Sequence, residues 1–336
     1  MGHDENIEIT CAMNACEKLW VQSRRESSVF SDWELRVSLS EISGMKPFFI
    51  VNRTTGTILP AGMVNGTLSF YGGLYYNERN GFLGPSGGER DIFEFLKTGG
   101  FRFRLLSWDQ DPLPYLPESC RWWDVPYNQY WVVPRYCSFE DYLMTLSPSR
   151  RKEVRYTLRR FQMDYGTDAR DGAWESLCVS YMEHTARSFI RRGKSCIYGD
   201  PKYRESALAM LRLIDAKGML NCVKVSFQGI DVGLGLWAVD EKNKNAVYLF
   251  NLYKPFPNNA SGAVILGVIQ SCAERGMAID GMRGAFSQKR KFGFLPQSSY
   301  AIVNDETWEI RAPDDLSSEE MEVLYRRRFG ALDSRN

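Results

Sequence analysis

The hydrophobic positions of this chain change rhythm along its length. In the first third, "ACEKLWVQSRR" carries helical spacing behind Asn14 as an N-cap. "SDWELRVSLSEISG" repeats that spacing and ends on Gly44, as a helix C-terminus does. "KPFFIVNR" and "GTLSFYGGLYY" are aromatic and β-branched between Gly and Asn turns, which predicts strands. "RDIFEFLKTGG" is a short helix closed by glycines, and "FRFRLLSW" alternates as a half-buried strand does. The aromatic run "CRWWDVPYNQYWVVP" predicts one more strand.

From Ser138 the pattern changes. Ser138 with Asp141 is a capping-type helix start, and Pro148 breaks and restarts the helix. Val154, Leu158, Phe161 and Tyr165 then fall on one side at helical spacing, with Arg151, Arg155 and Arg159 recurring on another. The domain joint is expected here, giving units 1–147 and 148–336. Two helices follow, "GAWESLCVSYMEHTARSFI" and "KYRESALAMLRLIDAKG". Next come two strands joined at Gln228-Gly229, the strand "AVYLFNLY", the apolar helix "SGAVILGVIQSCAERG" and the strand "MAIDGMRG". Near the end, Ser317 and Glu320 form a capping box with Leu316 and Met321 as a hydrophobic staple. Helix, helix, antiparallel strands, helix, strand is an α+β order, unlike the regular alternation of a doubly wound sheet.

Composition narrows the function classes. The chain has 336 residues, 44% hydrophobic and 25% charged, with a formal net charge of +1. That balance argues against wholesale coating of nucleic acid and leaves room for a local basic patch. No apolar run is long enough to span a bilayer, and "MGHDENIEIT" lacks a signal peptide's apolar core, so a cytoplasmic protein is expected. The eight cysteines include no CxxC pair and only two histidines accompany them, so neither a zinc site nor a disulfide framework is predicted. Most of the thiols are expected to be reduced and buried.

Several motifs suggest chemistry. "RRGKS" ends like a phosphate loop, but Ser188 stands where its first glycine belongs. His184 has no local signature that pairs it with a nucleophile, so a helix-borne structural histidine is the simpler reading. Arg150, Arg151, Lys152, Arg155, Arg159 and Arg160 crowd one helix opposite Glu153. Like charges at that spacing repel, and a phosphate-bearing ligand would relieve them. The small residues Ala260 to Ala263 open a helix whose free N–H groups could hold phosphate. "GAFSQKRKFGF" places Lys289, Arg290 and Lys291 among aromatic residues.

Taken in order, these segments resemble the acyltransferase domain of the GNAT superfamily, in its Fem-like branch. That branch holds peptidoglycan bridge-building aminoacyl transferases and acetyltransferase-like proteins encoded near polysaccharide genes. "LSPSRRKEVRYTLRRF", "GIDVGLGLWAVD…AVYLFNLY", "NNASGAVILGVIQSCAERG" and "IDGMRGAFSQKRKFGF" carry the likeness. The resemblance implies two tandem GNAT-like domains, each a mixed, mainly antiparallel sheet flanked by helices, the first degenerate and the second catalytic. It implies N-acyl transfer to an amine of a cell-envelope, polysaccharide or secondary-metabolite precursor, with acyl-CoA as donor. An aminoacyl-tRNA donor and a non-catalytic double-domain scaffold are the alternatives. The acceptor would be a small molecule, glycan or peptide.

The resemblance assigns Lys289, three residues before Phe292-Gly293, as the ammonium that steadies a developing oxyanion. It assigns Asp280 as base or orienter and Tyr253 as proton donor to the leaving group. Asn259, Ser261, Gly262 and Ala263 would cradle the donor's diphosphate, with Asn259 where Gln or Arg is usual and Val264 where a small residue belongs. Arg150, Arg151, Arg155 and Arg283 would hold phosphates. No metal is implied.

Overall fold

Two seven-stranded sheets, each mixed and mainly antiparallel, organise the computed structural model of the chain. It describes residues 6–23, 29–72, 79–108, 114–116, 121–124, 130–165, 173–191, 196–254, 259–282, 286–297 and 299–304. The capping box near the C-terminus and Arg283 lie outside the described residues.

The first sheet begins with an edge strand, β1 (Ile7–Thr10). It is followed by helices α1 (Met13–Ser23) and α2 (Trp33–Ile42), then β2 (Lys46–Asn52), β3 (Ile58–Val64) and β4 (Thr67–Phe70). Helix α3 (Glu89–Thr98) leads to β5 (Arg102–Trp108), which pairs parallel to β4. The Asp32 carboxylate caps α2 by accepting the Leu35 N–H at 3.0 Å, and Gly44 follows that helix with a positive φ of 65°. Helix α1 begins one residue before Asn14. Its first turn closes on the Ala12 carbonyl, so Asn14 lies inside the helix and is not its cap. Strand β3 was not predicted. Pro60 obscures it, yet is harmless there. The Pro60 carbonyl accepts Tyr71 N–H just past the last β3–β4 pair, Ala61 with Phe70, where no ladder donor is needed.

The aromatic run 120–134 is not one strand. It contains β6 (Arg121–Asp124), in the first sheet, and β7 (Tyr130–Val133), in the second. Helix α4 (Phe139–Thr145) starts on Ser138, whose hydroxyl accepts the Asp141 N–H as expected. Pro148 opens α5 (Pro148–Arg160) behind a Ser147 cap, and Phe161 ends it. Tyr165 therefore lies beyond the helix, past the short β8 (Gln162–Asp164). Then come α6 (Ala173–Ile190), α7 (Pro201–Ala216), β9 (Leu220–Phe227), β10 (Ile230–Asp240) and β11 (Asn245–Tyr253). Gln228 and Gly229, with φ of 52° and 76°, close the β9–β10 hairpin as an inverted turn requires. Helix α8 (Ala260–Glu274) joins β11 to β12 (Ala278–Asp280), its parallel neighbour. The last described elements are α9 (Phe286–Lys291), β13 (Leu295–Gln297) and β14 (Tyr300–Val303).

The strand orders, β1-β2-β3-β4-β5-β14-β6 and β13-β7-β12-β11-β10-β9-β8, share one plan. In each, antiparallel strands lead through a helix to a parallel strand, and the next strand is lent by the other half. β14 crosses into the first sheet and β7 into the second. Sheet membership thus changes before the joint expected at Pro148.

Helix α8 lies close on β10 because glycines permit it. A Cβ at Gly233 would stand 2.4 Å from Val264 Cγ2, and one at Gly235 within 3.0 Å of Val223, Val264 and Val268. On the other face, Leu35 and Leu39 of α2 join one core with α6 and α7. Lys217 bridges the same seam to Asp32 at 2.9 Å and Glu34 at 2.7 Å. No described helix is long and apolar enough to cross a membrane.

Candidate active site

Strands β11 and β12 pair only from Asn245 to Val247, against Ala278 to Asp280. β11 runs on to Tyr253 with no described partner on that side, so two parallel strands part at Asp280. Against its antiparallel partner β10, β11 carries one extra residue, Leu249, between the pairs Trp237–Tyr248 and Leu236–Phe250, and this bulge increases the twist of β11 just past the point of parting. Beyond the bulge, Leu252 enters the α6–α7 core, whereas Asn251 and Tyr253 face α8.

Helix α8 starts at this open end. Asn259 is its N-cap residue, left-handed with φ of 75° and without a side-chain capping bond. The Ser261 hydroxyl accepts the Asn251 amide N–H at 2.9 Å, while the Asn251 amide oxygen is buried with no hydrogen-bond partner. Ala263 is fully buried and donates its N–H to the Asn259 carbonyl. Gly262 lies under the Phe292 ring, where a Cβ would be 3.0 Å from Cζ. The four residues expected to cradle a diphosphate thus form one turn, but that turn is packed. Phe292 covers the side of Gly262 on which a Cβ would stand, so nothing approaches the turn closely from that side.

The same point in the first half is closed differently. β4 and β5 pair only at Thr67–Leu68 with Arg102–Phe103. Beyond that, Phe70, Phe82 and Phe93 crowd Trp108 with ring centroids 5.1–5.9 Å apart. At the start of α3 the buried Glu89 carboxylate accepts the Gly87 N–H, so an internal acid already holds the position an anion would take. α8 has no acidic residue in its first turn.

Lys289 and Asp280, nine positions apart, meet through one residue, Met282. Both are buried, at 6% and 4% exposure. The Lys289 ammonium donates to the Met282 carbonyl at 3.2 Å, and Asp280 Oδ1 accepts the Met282 N–H at 2.9 Å. Met282 itself is left-handed, with φ of 57°. The residue missed from sequence is Arg79. Its Nε donates to Asp280 Oδ2 at 2.7 Å and its Nη1 to Gln297 at 3.1 Å. Lone in a loop and 201 positions from Asp280, it carries no motif that would have revealed it. Asp280 is therefore held by a guanidinium and an amide, the situation of an orienting group. Tyr253 is half-buried at the end of β11 and makes no hydrogen bond to Lys289 or Asp280.

The cationic helix is less bare than its sequence suggests. Arg150 meets Glu153, and Arg155 meets Glu140 of α4 at 2.9 Å. Arg151 reaches the Met144 carbonyl, and Arg160 lies over Tyr156 and Phe227. Phe227 ends β9 at the same end of the sheet as Tyr253, two strands away, so Arg160 brings one α5 charge to that end. His184 is half-buried on α6 and bonds to no described cysteine. Cys16, Cys178, Cys222 and Cys272 are buried as expected, but Cys11 and Cys137 lie at the surface.

No protein-family model matches the chain, and no curated protein matches its sequence. Solved structures do match its fold. A conserved protein of unknown function from Bacteroides thetaiotaomicron VPI-5482 superposes with a TM-score of 0.57 at 11% identity, covering 88% of this chain and 99% of its own. FemX gives 0.54 at 9% identity, over 88% and 96%. L-PGS from Bacillus licheniformis gives 0.51 at 12% identity, over 94% and 96%. At such identities the likeness is one of fold, and that fold is the tandem α+β architecture which the resemblance to the Fem-like branch implies.

Proposed function

We propose that the chain is an acyltransferase that moves an acyl group from an activated ester or thioester to an amine, in the opening between β11 and β12. The observation that carries this reading is the buried ammonium of Lys289, anchored on the Met282 peptide at the point where two parallel strands part. An amine nitrogen attacks the acyl carbon and the carbonyl oxygen becomes an oxyanion. A fixed cation in a site of low polarity stabilises that charge more than it stabilises the neutral carbonyl. Collapse breaks the bond to the carrier. Tyr253 gives its proton to the departing oxygen or sulfur and takes one from the new amide nitrogen. Holding acyl group and amine together supplies the rest.

Two carriers suit the reaction. Acyl-CoA is one. The packed first turn of α8 and the exposed arginines of α5 favour the other, an aminoacyl ester on tRNA. The acceptor proposed is an amine of a glycan, peptide or small molecule. The test is to incubate the purified protein with a panel of amines and either acetyl-CoA or charged tRNA, then follow acylated product by mass spectrometry. Product that appears with charged tRNA and vanishes after ribonuclease treatment supports the favoured carrier, and product with acetyl-CoA replaces it. No product from either, with tight retention of an acceptor, would leave a binding scaffold in place of an enzyme.

A further inference from the structure

We infer that Arg79, delivered by the first half of the chain, is a positioning residue for the acyl-transfer site of the second. This rests on the reading of Lys289 as the group that faces the developing oxyanion.

The contacts form a relay. Arg79 Nε holds Asp280 Oδ2 at 2.7 Å, with side-chain exposures of 16% and 6%. The other carboxylate oxygen, Oδ1, holds the Met282 N–H, and the Met282 carbonyl holds the Lys289 ammonium. The Met282 carbonyl also accepts the Trp131 N–H at 3.2 Å, so β7 braces the same peptide. Each partner of Asp280 sits on unusual backbone. Arg79 and Met282 both have positive φ, 54° and 57°, a conformation that residues with a Cβ adopt only where surroundings impose it. Such conformations gather at sites that must be held in one arrangement.

Arg79 is itself firmly based. Its neighbour Asn80 donates its N–H to the Ser107 carbonyl and its side-chain amide to the Leu106 carbonyl. The Asn80 amide oxygen accepts the buried Arg36 guanidinium at 2.7 Å. A rigid first half therefore projects one cation across the seam onto the strand end from which Lys289 is set. This gives the degenerate half a task that its own closed opening cannot perform.

The experiment compares wild type, Arg79→Ala and Arg79→Lys as full chains. Two readouts are taken: steady-state acyl transfer with whichever donor the preceding test yields, and the labelling rate of Lys289 by an amine-reactive reagent, quantified by mass spectrometry. Arg79→Ala is expected to lower kcat about a hundredfold, as a misplaced group does. Donor KM should stay within about threefold, since the lost interaction is one that orients and does not bind donor. Lys289 labelling should rise as its ammonium leaves the Met282 carbonyl. Arg79→Lys should restore part of kcat and lower the labelling again. Unchanged kcat with a lowered melting temperature would overturn the inference and leave a plain clamp between halves. If wild type transfers no acyl group, the proposed function falls, and labelling alone then decides the relay: a rise in Arg79→Ala upholds it and an unchanged rate overturns it. Should Arg79→Ala fail to fold, Asp280→Asn replaces it with the same expected signs.

Discussion

The close seat of α8 on the second sheet makes Gly235 a sharp test of how this half is packed. Its Cβ position is surrounded by methyl groups of three valines, Val223 Cγ1 at 2.9 Å and Val264 Cγ1 and Val268 Cγ2 at 3.0 Å. None is the far end of a flexible side chain. Valine has one strongly preferred rotamer in a helix, so Val264 and Val268 cannot swing aside. In Gly235→Ala the helix or the strand must therefore shift. Overpacking of this kind costs about 1–3 kcal/mol. The loss of glycine's freedom in the unfolded chain offsets about 0.4–1 kcal/mol of that cost. A net destabilisation of about 1–2 kcal/mol is expected, read as a lower midpoint in urea with an unchanged slope. The cause is checked in a second background. With Val264→Ala the Cβ gains room, so the two changes should couple favourably by about 1 kcal/mol in a double-mutant cycle. Gly235→Ala as stable as wild type, or costs that simply add, would refute the packing argument. Since α8 starts beside the site, the variant should also lose activity even where most of it remains folded.

Other expectations follow from single contacts. Lys289→Met should lower kcat by about 10²–10³-fold, with a stability loss of at least about 1 kcal/mol from the hydrogen bond to the Met282 carbonyl; circular-dichroism melts beside the transfer assay separate the two. Arg36→Met strands the Phe30 and Tyr71 carbonyls and the Asn80 amide oxygen, which its buried guanidinium now satisfies. It should cost about 3 kcal/mol in chemical denaturation. Burial pushes the Cys178 and Cys272 thiols up from 9.0 to about 12. Above pH 9 the unfolded chain ionises these thiols while the folded one keeps them protonated. The unfolded state then binds fewer protons, and stability should fall from about pH 9 towards 12. Cys178→Ala should flatten that alkaline slope. At neutral pH a thiol reagent should modify Cys11 and Cys137 and spare Cys16, Cys178, Cys222 and Cys272 in the native protein.

Much of this architecture is legible in the sequence where local signals and packing agree. α2 and α3 announce themselves through periodicity and closing glycines, α7 through periodicity, and the β9–β10 hairpin through Gln228-Gly229. The start of α5 at Ser147-Pro148 is equally plain, because a capping serine and a first-turn proline act within one helix turn. What escapes is set by distant partners. β1 is a four-residue edge strand whose Ile-Glu-Ile-Thr alternation is too short to stand out, and Pro60 hides β3 because only its place beside Tyr71 makes a missing N–H harmless. Nothing in "RWWDVPYNQYWVV" tells which strand belongs to which sheet. For the site, motif order singles out Lys289 and Asp280, whose side chains both bond to Met282. It cannot reveal that Phe292 covers Gly262, that Glu140 meets Arg155, or that Arg79 reaches Asp280, since each depends on side chains far apart in the chain.

The lent strands bear on how the protein is made. β5 and β6 emerge early in synthesis, yet the strand that lies between them, β14, comes only at Tyr300–Val303. Until then the first sheet exposes two unpaired edges, the kind of surface on which chains mispair. In the same interval β7 waits for β12 and β13 to complete its own neighbourhood. The half that leaves the ribosome first is therefore the half that closes last. Any fragment that stops short of Tyr300 inherits its open edges.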